Sequence, residues 1–327
     1  MKKSVLQLRK KFIKSILSQD PDNFFNEWDS TDIEIEGTAD EIHNFSTELA
    51  RAGYYGRACF VLERGIAQYK FNTDLLADYL AYGVRCGETK KCESYYQKLD
   101  RIPDKRKTWR AFRFAVDYLI YRISETTDDE KIATLKNDAL NIVERFKKAM
   151  PEEELAYLCE YDIYEATFDE STGLKKLEEF LNNEKRVAKV APKCHLKYID
   201  KMLQKGEYEK ITLYANDGAA EAAQEQESVD TGYFFYALAL AKDALWLKSE
   251  KKKDDIEKKE AAEILRCYQT AYDALDTNKS AYFKVIEKRY KIIANYSELS
   301  TSMQLIERRL GNDKTIDLLQ DIQGMVD

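Results

Sequence analysis

Two stretches of the chain line up when one is slid past the other by 34 residues. Leu49 to Ala58 falls on Gly83 to Cys92, so that Arg51 meets Arg85, Gly53 meets Gly87, Arg57 meets Lys91 and Ala58 meets Cys92. Upstream, Ile42 meets Leu76 and Phe45 meets Tyr79; downstream, Leu62 meets Tyr96. A fixed period of this length marks stacked helical hairpins, each able to bury its apolar face only against its neighbours.

Backbone punctuation is scarce. The 327 residues contain 4 Pro and 12 Gly, and no Gly lies between Gly87 and Gly173. Gly and Pro weaken helix interiors, so this interval predicts helices. Charged residues make up 34% and aromatics 12%, with 22 Tyr, as expected of amphipathic helices with wet outer faces and aromatic seams. Trp28, Trp109, Trp246 and the tyrosines are therefore expected mostly in the core. The expected fold class is all-α, a right-handed α-solenoid of about six or seven helical hairpins with essentially no sheet.

A net charge of -7 argues against nucleic acid as the default partner, because binding its backbone needs excess cations. No apolar run approaches the roughly 20 residues of a transmembrane segment. The basic N-terminus lacks the apolar core and cleavage site of a secretory signal. Six cysteines, Cys59, Cys86, Cys92, Cys159, Cys194 and Cys267, scattered through a large helical chain predict reduced core thiols. The expected compartment is the cytoplasm.

Residues 2–17 set Val5, Leu8, Phe12, Ile13, Ile16 and Leu17 at helical spacing among cations. Such a helix either caps the first repeat or docks on a membrane or partner. The acidic stretch Asp20 to Glu41 reads as a linker, so residues 1–39 form a capping segment. Residues 40–216 hold the repeats, and 217–327 are divergent hairpins that continue them. Hairpins are expected at 40–52 with 55–70, 74–86 with 89–100, 107–123 with 129–149, 152–167 with 171–183, and around Gly206 within 195–216. A helix at 229–248 and one ending near Leu275 flank the charge run Lys251 to Glu260, which reads as a solvated extension. Final helices are expected near 280–296 and 299–310.

Around Gly53 and Gly87 the sequence resembles the tetratricopeptide repeat (TPR) family. The family's second-helix pattern of Ala, Phe and Pro is approached by Ala58 and Leu62, by Cys92 and Tyr96, and in a third unit by Ala139, Val143 and Pro151. Phe45-Ser46 and Tyr79-Leu80 stand where the family has Leu-Gly. The resemblance is clearest over residues 40–104 and extends more weakly to about 216. It implies a non-enzymatic scaffold or adaptor that captures a peptide segment or partner protein in the concave groove of its first helices. The family's chaperone-tail clamp uses groove asparagines; Thr47 and Ala81 stand at those positions, so that ligand is not implied. Gly53 and Gly87 suit left-handed helix ends.

Catalytic and metal chemistry find little support. Only His43 and His195 occur, and no Cys-x-x-Cys or His-Glu-x-x-His spacing is present, so neither a metal nor a cofactor is expected. The cations are more informative. Arg51 and Arg85 each stand two residues before a turn glycine. Arg106, Arg110 and Arg113, at spacings of four and three, are expected on one helical face beside Trp109, Phe112 and Phe114. These five arginines form the candidate ligand-binding set, since a guanidinium suits two-pronged recognition of carboxylate or phosphate. The competing reading makes them salt-bridge partners or apolar-seam covers. The expected partner is a protein or peptide, with acidic segments the best match. The alternative is a regulatory or sensor subunit whose cationic groove takes nucleic acid or a nucleotide. Oligomeric state is not legible.

Overall fold

Apolar residues at helical spacing open the chain. The structure, a computed structural model, describes residues 2–18, 20–29, 34–224, 228–248 and 255–275; the helices expected near 280–296 and 299–310 lie outside them. A short strand, β1 (Lys2–Ser4), leads into α1 (Val5–Leu17), which buries Val5, Leu8 and Phe12. The acidic stretch expected as a linker is instead a helix, α2 (Pro21–Asp29), followed by β2 (Glu34–Glu36). β2 pairs in parallel with β1, a two-stranded sheet of three residues per strand beside the helices of the described residues. Phe24, Phe25 and Trp28 turn the inner face of α2 toward Phe12, with Phe24 and Phe25 at ring-centroid distances of 5.5 and 5.9 Å from it. Their spacing of one and three is helical, a signal masked by the surrounding acidic residues.

The hairpins then follow. They are α3 (Ala39–Arg51) with α4 (Tyr55–Gln68), α5 (Thr73–Gly83) with α6 (Thr89–Asp100), α7 (Trp109–Ser124) with α8 (Asp129–Ala149), and α9 (Leu155–Ala166) with α10 (Glu170–Leu181). Side-chain caps fix the starts of the first helices. Thr38 and Glu41 form a capping box on α3, Asn72 accepts from the Asp74 and Leu75 amides, and Thr108 accepts from the Ala111 amide. Gly53 and Gly87 turn between helices at φ +89° and +78°, the left-handed conformation that a side chain would resist.

The contacts divide the chain into two units, Met1–Lys176 and Leu177–Asp327. In the first, α3 packs on α5, α5 on α7 and α7 on α9, so the first helices lie side by side. In the second, α11 (Pro192–Lys205) packs on α12 (Tyr208–Gln224), α12 on α13 (Ser228–Lys248) and α13 on α14 (Asp255–Leu275). α14 takes up the second half of the charge run expected as an extension. At the α12–α13 seam, a Cβ on Gly218 would come within 2.3 Å of the Phe234 ring, so only glycine permits this approach.

The third first-helix is shifted. Between α6 and α7 the chain makes a 3-10 turn, Asp104–Arg106, which carries the Thr108 cap two residues beyond the position that the 34-residue period predicts. Buried polar contacts hold this turn. Lys107 Nζ donates to the Asp100 carbonyl at 3.2 Å and to Asp104 Oδ1 at 2.9 Å, and Arg145 of α8 grips Asp104 at 2.9 and 2.7 Å. The Arg145 hydrogen bonds, with help from Lys107, pull the Asp104 pKa down to about 2. A carboxyl depressed on folding adds stability above its unfolded pKa of about 3.9, and that contribution fades as pH falls toward 2. Urea midpoints should therefore fall from pH 4 to pH 2 less steeply in Arg145→Ala than in the parent. Identical slopes would show that the pair carries no linkage.

Candidate partner-binding face

A row of polar side chains crosses the four first helices of the first unit. The Asp78 side chain of α5, fully buried, is its hub: His43 Nδ1 of α3 lies 2.5 Å from Oδ2, and Arg110 Nη2 of α7 donates to Oδ1. Further along α7, Arg113 donates to Asp162 of α9 at 2.6 Å and to Asp117 at 3.2 Å. Burial acts to lower the Arg113 pKa, but Cys159, Asp117 and Asp162 outweigh it and raise the value. Packing raises the Asp117 pKa even against the pull of Arg113. Arg110 also lies 5.5 and 5.1 Å from the Trp109 and Phe114 ring centres. Arg110 and Arg113 thus neutralise carboxylates of their own layer.

Arg51 and Arg85 are different. Both are exposed, and neither makes an ion pair among the described residues. The Arg85 guanidinium lies 5.2 Å from the Tyr55 ring centre. Arg51 acts electrostatically on Tyr82, as Arg110 does, and Arg85 acts on Asp117, so both stand beside the polar row. The Tyr82 hydroxyl donates to Thr47 at 3.3 Å, linking α5 to α3. Neither arginine is consumed by an ion pair among the described residues; Arg85, on the 3-10 turn Val84–Cys86 that follows α5, rests on Tyr55 of α4.

The expected single face of Arg106, Arg110 and Arg113 does not form. Arg106 belongs to the 3-10 turn, before α7 begins, and lines a cleft against α4 and α6. The same shift puts Arg113 in the repeat position of Ala77 and His43, away from the helix ends that carry Arg51 and Arg85. Trp109 is 38% exposed instead of core, and Cys86 is exposed while the other five cysteines are buried. Sequence reasoning missed the carboxylates. Asp78 was the legible one: it is the lone charge in the apolar run Leu75-Leu-Ala-Asp-Tyr-Leu-Ala-Tyr82, where burial requires a partner.

His195 is buried in α11, with Glu221 Oε2 3.6 Å from its Nε2 and the Tyr214 ring 6.2 Å away, an inter-helix contact. Among the described residues no cluster of three or more His, Cys, Asp or Glu is arranged to hold a metal, and no helix is long and apolar enough to cross a membrane.

Positions 34 residues apart behave alike in three independent ways. Ile42 and Leu76, Phe45 and Tyr79, and Ala58 and Cys92 are all fully buried. Gly53 and Gly87 share the left-handed turn. Arg57 holds Asp29 at 2.5 and 2.6 Å and Lys91 holds Glu63 at 2.7 Å, donor and acceptor alike displaced by one period. The repeats are TPR-like. No family model matches the sequence, and no curated protein matches it. Among solved structures the chain is similar to a thermophilic TPR protein of Thermus thermophilus, with 13% identity and a TM-score of 0.43 over 64% of this chain and 99% of that one. It is also similar to human IFIT1, solved as a dimer with m7Gppp-AAAA, with 11% identity and a TM-score of 0.31 over 93% of this chain and 73% of that one.

Proposed function

We propose that the protein is a non-enzymatic interaction scaffold whose first-helix face captures an acidic, extended segment of a partner protein. The observation that carries this reading is the pair Arg51 and Arg85: they occupy equivalent repeat positions, stay exposed and lack ion pairs among the described residues, while Arg110 and Arg113 are consumed internally. Tyr55, half-buried under Arg85, adds aromatic surface that can rest against peptide backbone or side chains.

The spacing of the two cations constrains the ligand. Packed helices lie about 8–10 Å apart, and an extended chain advances about 3.3–3.6 Å per residue. Carboxylates three residues apart match that interval. The test is a series of labelled peptides carrying two glutamates at separations of one to six residues in a Ser-Gly-Thr background, titrated by fluorescence anisotropy. Tightest binding is expected at a separation of three, weakening with salt as the exposed attractions are screened over roughly 8–10 Å. Equal binding at every separation would refute a two-point grip.

A further inference from the structure

The cation that left the expected face leads to a second site. Arg106, Lys70, Lys98 and Arg101 ring a cleft of about 630 Å³ between the C-terminal ends of α4 and α6, floored by Ile66, Ala67, Ile102 and Pro103. That volume falls in the range of ligand-holding pockets, roughly 300–1,000 Å³. All four cations are exposed, and none makes an ion pair among the described residues. The single carboxylate at the rim, Glu63, is already committed: it accepts from the Tyr79 hydroxyl at 2.8 Å and from Lys91 at 2.7 Å. Phe71 stands at the edge with 69% of its surface exposed.

We propose that this cleft is a second docking site, independent of the first-helix face, for a partner segment in which large apolar side chains are flanked by carboxylates. Two features favour a protein segment over a small anion. A small-anion site aims buried donors inward, whereas here every cation lies on the rim and the centre is apolar, the anatomy of a protein interface. The exposed Phe71 gains only from an apolar occupant. Lys98 and Arg101 also complement the α6 dipole at its C-terminus, but that role explains neither Arg106 nor Phe71.

The probe is a fluorescein-labelled peptide, Glu-Asp-Glu-Leu-Phe-Glu-Asp-Glu, titrated against the full chain. Saturable binding is expected, weakened at least about tenfold by Arg101→Glu with Arg106→Glu and several-fold by Phe71→Ser. Every titration is made in the Arg51→Ala, Arg85→Ala background, which removes the first-helix grip on paired carboxylates, so failure here and failure of the first-helix reading are separable. Equal binding in the double-reversal and Phe71→Ser variants would overturn the proposal. So would equal binding of a peptide with Ser-Ser in place of Leu-Phe, or displacement by a single-stranded oligonucleotide at lower concentration than by unlabelled peptide. Phe71→Ser is exposed and keeps the test decisive if the charge reversals disturb folding.

A second inference rests on a separate observation. Cys86 Sγ, exposed on the 3-10 turn after α5, lies 3.6 Å from Cys59 Sγ in α4. We infer that a peroxide closes these two thiols into a disulfide. The Cys86 thiol gives up its proton and the thiolate attacks one peroxide oxygen, the O–O bond breaks, and the departing hydroxide takes up that proton, leaving a sulfenic acid and one water. The Cys59 sulfur then displaces the sulfenic hydroxyl, forming the S–S bond, and the proton of Cys59 leaves with that hydroxyl as a second water. The staple would sit one residue from Arg85. Peptide mass mapping after stoichiometric hydrogen peroxide should show Cys59 joined to Cys86 in the parent and in Cys92→Ser, with a urea midpoint raised until dithiothreitol is added. Addition of oxygen to Cys86 alone, or no modification, would overturn the inference.

Discussion

Phe12→Ala is expected to destabilise the protein by about 3–5 kcal/mol, the range for truncating a buried phenylalanine. Phe12 is almost fully buried and meets four rings, Phe24, Phe25, Phe45 and Tyr54, with centroids 5.5 to 6.1 Å away. Removing it opens a cavity where α1, α2 and α3 meet. α2 has nine residues, too few to hold a helix without packing. Urea unfolding should report the loss, with Leu17→Ala, at a site 79% exposed, changing stability by no more than about 0.5 kcal/mol. A parent-like midpoint for Phe12→Ala would mean that α1 does not cap the first repeat.

Arg110→Ala should cost about 3 kcal/mol or more, because it leaves the fully buried Asp78 carboxylate with His43 as its remaining ionic partner. Asp78→Asn should cost less, roughly 1–3 kcal/mol: the Arg110 side chain, 23% exposed, keeps access to water and a neutral acceptor. The double variant should recover part of the Arg110→Ala loss, a coupling expected of contacting groups. Arg51→Ala and Arg85→Ala should each stay within about 1 kcal/mol, the scale of an exposed cation over a ring. If all three arginines cost the same, the division into internal and free cations fails.

Much of the first unit was legible because its signals are local and repeated. Turn glycines, buried pairs one period apart and the apolar stripe of α1 each depend on few residues. The cationic site is less legible, since Arg106, Arg110 and Arg113 have the spacing of one helix face without sharing one helix. The 3-10 turn at Asp104–Arg106 breaks that face, and the Lys107, Asp104 and Arg145 contacts that stabilise it join residues up to 41 positions apart. Asp162, the partner of Arg113, lies 49 residues along the chain, beyond any spacing rule. At α2 the acidic composition suggests a linker, while Phe24, Phe25 and Trp28 hold helical spacing and are buried. Burial decided there, as it usually does for short helices.

The most direct measurement is the affinity of the peptide with two glutamates three residues apart for the parent and for Arg51→Ala with Arg85→Ala, with thermal melting of both proteins alongside. A charged hydrogen bond contributes about 1.5–3 kcal/mol, so loss of both arginines should weaken binding by about tenfold at the least. Lysine at both positions should restore part of the affinity, since the ammonium keeps the charge and loses the fork. Melting temperatures should match. Parent-like affinity in the double-alanine variant, at an unchanged melting temperature, would contradict the assignment of this face as the partner-binding surface.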